Sequence, residues 1–432
     1  MFFLYNWLVL PLLRFLSFFV SRFGHGKIAE TLRGQRQAHQ KLREKLKDKK
    51  PKGPVLWVHV SSAGEFLQAK PVIEAVKSAR PEVFVALTFI SPSGMNWAKD
   101  YAQADFVGYG PVDSRRSVRD WLELLQPKIL LLVKFDIWPN MVLESQQQKL
   151  KIFLISATLT PDSQRHNSAW KRNFFQKIYA KIDHIFCVGE QDLELFRQTN
   201  PRHPDLRVVG DTRVDSVLQR QELSAQKPLS EHLQALRKAH SFILVVGSAW
   251  TADGVLILPC WKRLREKHPE ALLILTPHEP NARHLAENED LCQKAGLSHL
   301  RLEKYLQATP GVLGADVLVI DRVGLLADLY RIGDGAFVGA GVGGVHNTME
   351  PAAWGLPVVF RPVYHNAPEA IAMVHAKIFT SVADIDECYQ LLESWMANFP
   401  MAREIGKKGR LFLEKSKGAT YICVENILRE LP

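Results

Sequence analysis

The chain reads as an α/β protein: two doubly wound, Rossmann-like halves behind an N-terminal membrane-anchor helix. Three observations predict this. Short apolar runs of strand length alternate with helical stretches from residue 55 onward, the pattern of a parallel sheet covered by helices. The series stops in a polar helical region after Asp215 and restarts near residue 242. The first twenty residues are almost wholly apolar.

At 432 residues the chain is too long for one ordinary domain and suits two or three. With 47% hydrophobic and 23% charged residues, it can fill sizeable cores, which excludes pervasive disorder. The expected divisions are an anchor helix at 1–22, a basic connector at 23–52, an acceptor domain at 53–220, a donor domain at 221–410 and a helix at 411–432 packing back on the N-terminal domain.

The opening MFFLYNWLVLPLLRFLSFFV is interrupted by Asn6, Pro11 and Arg14. Its length is just enough for a span, and a helix lying in the membrane interface is equally open. No basic residue precedes the run and no small-residue cleavage site follows it, against a secretory signal. Phe2, Phe3, Trp7, Phe15, Phe18 and Phe19 leave no polar face for a soluble helix. Residues 22–52 then hold eleven Lys/Arg against three Asp/Glu. Behind an anchor, such a run suits anionic lipid headgroups rather than nucleic acid. It also puts the following domains on the cytoplasmic side. The five cysteines show no CxxC spacing, so they are expected to be packing residues of a reducing compartment.

Strands are expected at 55–60, 83–90, 129–133, 151–155, 184–188 and 207–209, then at 242–246, 271–275, 317–320, 335–338 and 357–360. Two such halves put a cleft between them, with the loops at the carboxyl ends of the strands facing it.

Two stretches carry chemistry. In the first half, His59 closes a strand, 61–64 makes a turn, and Glu65 opens a helix. A carboxylate in a first helical turn is favoured by the dipole. Facing a cleft, Glu65 is a competent general base; it is equally a common cap residue, and the stretch alone leaves both open. In the second half, Gly339, Gly341, Gly343 and Gly344 precede His346-Asn347-Thr348-Met349-Glu350-Pro351. A glycine-rich turn before a helix offers backbone N–H groups to a phosphate, and Glu350 can hold ribose hydroxyls.

With these pieces the chain resembles the 3-deoxy-D-manno-octulosonic acid (Kdo) transferase family. The resemblance rests on 59–65 (HVSSAGE), Trp138-Pro139-Asn140, 210–215 (GDTRVD) and 346–352 (HNTMEPA), in family order behind an apolar anchor. It implies a GT-B fold and inverting transfer of Kdo from CMP-Kdo to a lipid A precursor, with release of CMP. It makes Glu65 the base, and Asp136 and Arg213 the groups that steady the transition state. CMP contacts map to Pro277, His278, Val323, Gly324, Leu325, Asn347, Thr348, Met349 and Glu350. No metal or other cofactor is implied, because Arg and backbone dipoles can neutralise one departing phosphate. The partners are the lipid acceptor, CMP-Kdo and an anionic membrane surface at the cytoplasmic face of a bacterial inner membrane. The chain departs from the family at several points: Lys134 and His278 replace a carboxylate and an arginine, Leu325 a glutamate and Arg361 a glycine, and residues 247–253 read GSAWTAD where the family has Gly-Ser-Thr-His-x-Gly-Glu. The alternatives are a GT-B enzyme acting on a UDP-sugar, as transferase or epimerase, or a non-catalytic nucleotide- or lipid-binding protein.

Overall fold

The computed structural model describes residues 5, 26–48, 50–159, 168–200, 202–341 and 343–432. It divides into two compact units. One comprises the described residues up to Asp215 together with Ser416–Pro432; the other is Ser216–Lys415.

The first unit is built on a seven-stranded parallel sheet. Its strands are β1 (Val55–Val60), β2 (Phe84–Phe89), β3 (Phe106–Tyr109), β4 (Ile129–Val133), β5 (Lys151–Ala157), β6 (His184–Cys187) and β7 (Leu206–Val208). They lie in the order β3-β2-β1-β4-β5-β6-β7. β1 and β4 are buried along their whole length, because helices cover both faces of a parallel sheet; hence their unbroken apolar runs. β3, which the apolar-run criterion misses, is an edge strand with buried and half-buried residues alternating. The order reverses between β1 and β4, and in open α/β sheets the crevice beyond the carboxyl ends at such a switch point receives ligands.

The second unit repeats the plan. Its strands are β8 (Ile243–Ala249), β9 (Leu272–Pro277), β10 (His299–Arg301), β11 (Val317–Val319) and β12 (Gly335–Val338). A two-stranded hairpin, β13 (Ala340–Gly341) and β14 (Gly344–Val345), leads on to β15 (Val358–Phe360) and β16 (Phe379–Ser381). The sheet order is β10-β11-β9-β8-β12-β15-β16, with its switch point between β8 and β12. The short edge strands β10 and β16 also escape the sequence pattern.

The basic segment expected as a connector is a helix, Lys27–Asp48, built into the first unit. Ala38, Leu42 and Leu46, one turn apart, join the core containing Val55, Trp57, Phe106 and Trp121. The expected anchor falls, apart from Tyr5, outside the described residues. The Tyr5 hydroxyl donates to Asp113 Oδ2 at 2.8 Å. Among the described residues, no helix is long and apolar enough to cross a membrane.

The chain leaves the first unit within the helix Thr212–Gln226 and returns after Phe399–Lys415. Gly418, at φ 108°, makes the return turn. Asp215 pins it by accepting the backbone N–H groups of Gly418 and Thr420, each at 2.7 Å. The helix Ala419–Glu430 then sets Cys423, Val424 and Ile427 among Val58, Val72, Ile73 and Val76. All five cysteines are buried free thiols.

Candidate active site

At the end of β1 the chain turns into the helix Ala63–Ala79. The helix begins two residues before the expected start, with Ser62 as N-cap, so Glu65 is its third residue. Ser62 Oγ accepts the Glu65 N–H at 3.4 Å. The Glu65 carboxylate turns back to accept the Ser61 N–H at 2.5 Å. Glu65 therefore satisfies a helix-end donor and also stands in the crevice of the switch point, only 6% exposed.

Asp136 follows β4, the neighbour of β1. Its Oδ2 accepts the Ser61 hydroxyl and, at 3.1 Å, the Trp138 indole N–H. Ser61 thus binds both carboxylates, Glu65 through its backbone and Asp136 through its side chain. Burial, and then the charge of Asp136, push the Glu65 carboxyl up to about 7, while the Ser61 N–H and Lys134 pull the other way.

Beneath this pair His59 is fully buried. Its Nδ1 lies 2.8 Å from Thr88 Oγ1, which also accepts the Trp57 indole N–H at 2.9 Å and donates to Val58 O at 3.2 Å. With the hydroxyl proton directed at Val58, Nδ1 is assigned as the donor and Nε2 is left bare. Burial pushes the imidazole down to about 4 against the pull of Asp136, so His59 is a neutral packing residue. A Cβ at Gly110 would stand 2.6 Å from its Cε1, which explains a glycine there.

Gln68, one helical turn beyond Glu65, links the third expected residue. Its side chain donates to Asp211 Oδ2 at 3.2 Å, and its carbonyl accepts the Thr212 hydroxyl at 2.6 Å. Arg213 forks onto Asp211, Nε to Oδ1 at 3.1 Å and Nη2 to Oδ2 at 2.6 Å. The Arg213 guanidinium holds the Asp211 carboxyl below its usual range against the cost of burial. Glu65, Asp136 and Arg213 thus share one edge of one sheet, and Arg213 comes with its own counter-charge.

The nine positions expected to meet CMP all lie in the second unit. Pro277 ends β9, and His278 N–H donates to Ala249 O at 2.9 Å. The His278 ring stacks on Trp250, centroids 4.5 Å apart, and burial lowers its pKa. Val323 is 79% exposed, Gly324 has φ 91°, and Leu325 precedes the helix Leu326–Ile332. Asn347 has φ 61°. Thr348 is fully buried with no partner for Oγ1, and Met349 is buried. Glu350 pairs with Arg220 at 3.5 Å, and burial raises its carboxyl. The helix after the glycines spans only Met349–Ala353. Five residues align few peptide dipoles, so the expected phosphate cradle at its start gains little from them.

Sequence reasoning missed the pair that organises this edge. Asp253 Oδ2 accepts the Trp250 N–H at 2.8 Å and the Ala340 N–H at 3.1 Å. Its Oδ1 takes Arg361 Nε at 2.6 Å, and Arg361 Nη2 donates to the Ala340 carbonyl. The two side chains thereby hold both polar groups of Ala340, the first hairpin residue. The usable signals were an acid four residues beyond the end of β8 and an arginine in a glycine's place at 361; nothing local pointed to their pairing across 108 positions.

Comparison with known proteins agrees with these motifs. The family model described as 3-deoxy-D-manno-octulosonic-acid transferase (kdotransferase) matches residues 35–216. The 3-deoxy-D-manno-octulosonic acid transferase of Aquifex aeolicus is 28% identical over 315 residues, covering 72% of this chain and 76% of that protein. The Haemophilus influenzae protein of the same name is 24% identical over 372 residues, 84% of each. That of Chlamydophila psittaci is 24% identical over 428 residues, 95% of this chain and 92% of its own. The fold is similar to that of Neisseria meningitidis UDP-GlcNAc 2-epimerase, with TM-score 0.57 and 17% identity over 87% of this chain and all of that one. It is also similar to Acinetobacter baumannii MurG, with TM-score 0.56 and 13% identity over 87% and 99%. The architecture is the pair of parallel-sheet α/β units expected of the GT-B class. The chain is thus similar to the 3-deoxy-D-manno-octulosonic-acid transferases, by the family model over residues 35–216 and by these relatives over most of its length.

Proposed function

We propose that this protein is an inverting glycosyltransferase that moves Kdo from CMP-Kdo to a hydroxyl of a lipid A precursor in lipopolysaccharide synthesis. The observation that carries the mechanism is Glu65: a buried carboxylate at the switch point of the first unit, its proton affinity raised to about 7. A base of that strength takes a hydroxyl proton in the transition state near neutral pH. The hydroxyl oxygen then bonds to the anomeric carbon of Kdo. The bond from that carbon to the phosphate oxygen breaks, and its electron pair leaves with CMP.

Asp136 keeps Glu65 basic through its charge and, with Ser61, holds it in position. We assign Arg213, fixed by Asp211, to the negative charge that develops on the departing phosphate. The second unit is our choice for the donor. The Trp250–His278 stack, the hairpin braced by Asp253 and Arg361, and Asn347 to Glu350 line the carboxyl edge of its sheet. The anchor expected at 1–22 and the basic helix Lys27–Asp48 would bring the enzyme to its lipid at the cytoplasmic face of the inner membrane.

The test is incubation of the full chain with CMP-Kdo, generated in situ, and a lipid A precursor, with mass spectrometry of the lipid. A mass gain of one or more Kdo units is expected; an unchanged lipid would overturn the assignment. Parallel titrations with CMP and UDP separate this reading from a UDP-sugar enzyme, and CMP is expected to bind more tightly.

A further inference from the structure

Lys134 is the first residue beyond β4, at the same switch point as Glu65. His59 on β1 is in register with Leu132 on β4. Ser61 and Lys134 each follow directly on these neighbouring strands, Ser61 holds Glu65, and the charge of Lys134 reaches the Glu65 carboxylate. The backbone of Lys134 is left-handed, φ 65°, and that of Ser156 on the neighbouring strand is too, φ 46°. Neither is glycine, so both conformations carry strain. Such strain gathers where a site over-determines the chain. The Lys134 N–H is tied to Ile155 O at 2.9 Å, which fixes the direction in which its side chain leaves the sheet.

Lys134 as a residue is half-buried. Its ammonium rests 5.4 Å from the Phe135 ring centroid, and among the described residues no carboxylate comes within 4.0 Å to form an ion pair. A cation on a half-buried residue beside two carboxylates, yet bonded to neither, is poised for an anion from outside. The surroundings suit an amphiphile. Phe135 is 43% exposed and Trp97 is 56% exposed, and Trp97 packs edge-on against Phe66, the residue after Glu65.

We infer that Lys134 is a specificity residue of the acceptor site, binding an anionic oxygen group of the glycolipid, phosphate or carboxylate, beside the hydroxyl that Glu65 deprotonates. This rests on the reading of the first unit as the acceptor side. It makes an acidic headgroup, and not only a hydroxyl, a requirement of the substrate.

The experiment uses the full chain in detergent micelles with three acceptors. One is a diglucosamine glycolipid bearing a phosphate, one is the same lipid without it, and one has a carboxymethyl group in its place. Binding without donor is followed by tryptophan fluorescence and transfer by mass spectrometry. For the phosphorylated lipid, Lys134→Ala is expected to raise Kd and the acceptor KM by about 10- to 100-fold, the effect of losing one charge-assisted hydrogen bond. All rates are read well above the pH limb of Glu65, where losing the Lys134 charge does not change its ionisation; there kcat and donor KM should stay within about threefold of wild type, and Lys134→Arg should recover most of the loss. On the uncharged lipid the variant and wild type should coincide. A loss shared by the carboxymethyl lipid supports any oxyanion as the ligand, and a loss confined to the phosphorylated lipid assigns the phosphate. An equal loss on charged and uncharged lipids, or none on any, overturns the proposal. If wild type transfers no Kdo but the Lys134-dependent binding difference persists, the transferase reading fails and the anion site stands.

Discussion

Glu65 carries an unfavourable ionisation into the folded state. Its carboxyl is raised from 4.5 to about 7 by burial and by Asp136. Between those values the folded chain holds a proton that the unfolded chain has released. Stability therefore falls as pH rises through that window, and the whole cost is present above about pH 7. Glu65→Gln removes the charge but keeps the shape. It should lower kcat by roughly 10²- to 10⁴-fold while leaving CMP affinity within a few fold. It should also stabilise the protein at pH 8 by roughly 1–3 kcal/mol, with a smaller gain at pH 5; urea melts at the two pH values check this. The pH–rate profile gives a second test. Activity should rise with pH through about 7, a limb that belongs to the coupled carboxylate pair. Asp136→Asn deletes a charge that raises Glu65, so the limb should move to lower pH. A limb unmoved in that variant would remove Asp136 from the role assigned to it.

At the scale of elements, the site depends on how closely strand ends approach one another. Beyond β12, a Cβ at Gly339 would stand 2.1 Å from the Ser248 carbonyl oxygen and 2.8 Å from Asp253 Oδ2. The first of these atoms is backbone and cannot swing aside. Gly339→Ala is thus expected to destabilise the second unit by about 2–3 kcal/mol, read as a lower denaturation midpoint, and to weaken CMP binding. Central strands were legible because burial on both faces writes them as apolar runs, such as VLWVHV and ILLLV. Edge strands β3, β10 and β16 were not, since half-exposed residues dilute the pattern. The turn after β1 was legible as a functional stretch but not in its detail. The proton affinity of Glu65 depends on a carboxylate 71 residues away that Ser61 binds through its hydroxyl, and that contact is tertiary.

At the scale of the whole molecule, the chain closes the first unit with its last helix. Cys423, Val424, Ile427 and Leu431 sit in the core that holds Val58 and Phe66, and Asp215 clasps the return turn. Truncation after Lys415 should expose that core. Circular dichroism and hydrogen exchange should show the first unit losing protection while the second, which ends at Lys415, keeps it. Equal protection in both units would mean that the helix only covers a surface already stable.

The sequence by itself determined the two α/β halves, most central strands and the resemblance to the Kdo transferases, because these are written in local periodicity and in contiguous motifs. It also picked out Glu65 from the turn after the first strand, as cap or base, and Asp136 and Arg213 only through resemblance. Tertiary structure decided what each of them faces. The Gln68 link to Asp211, the Ser61 bridge to Asp136 and the Asp253–Arg361 brace join residues far apart in sequence that are adjacent in space. The Glu65 turn, read from sequence as cap or catalyst, closes the helix end with one carboxylate oxygen, and burial beside Asp136 gives the group the proton affinity on which the proposed role as base rests.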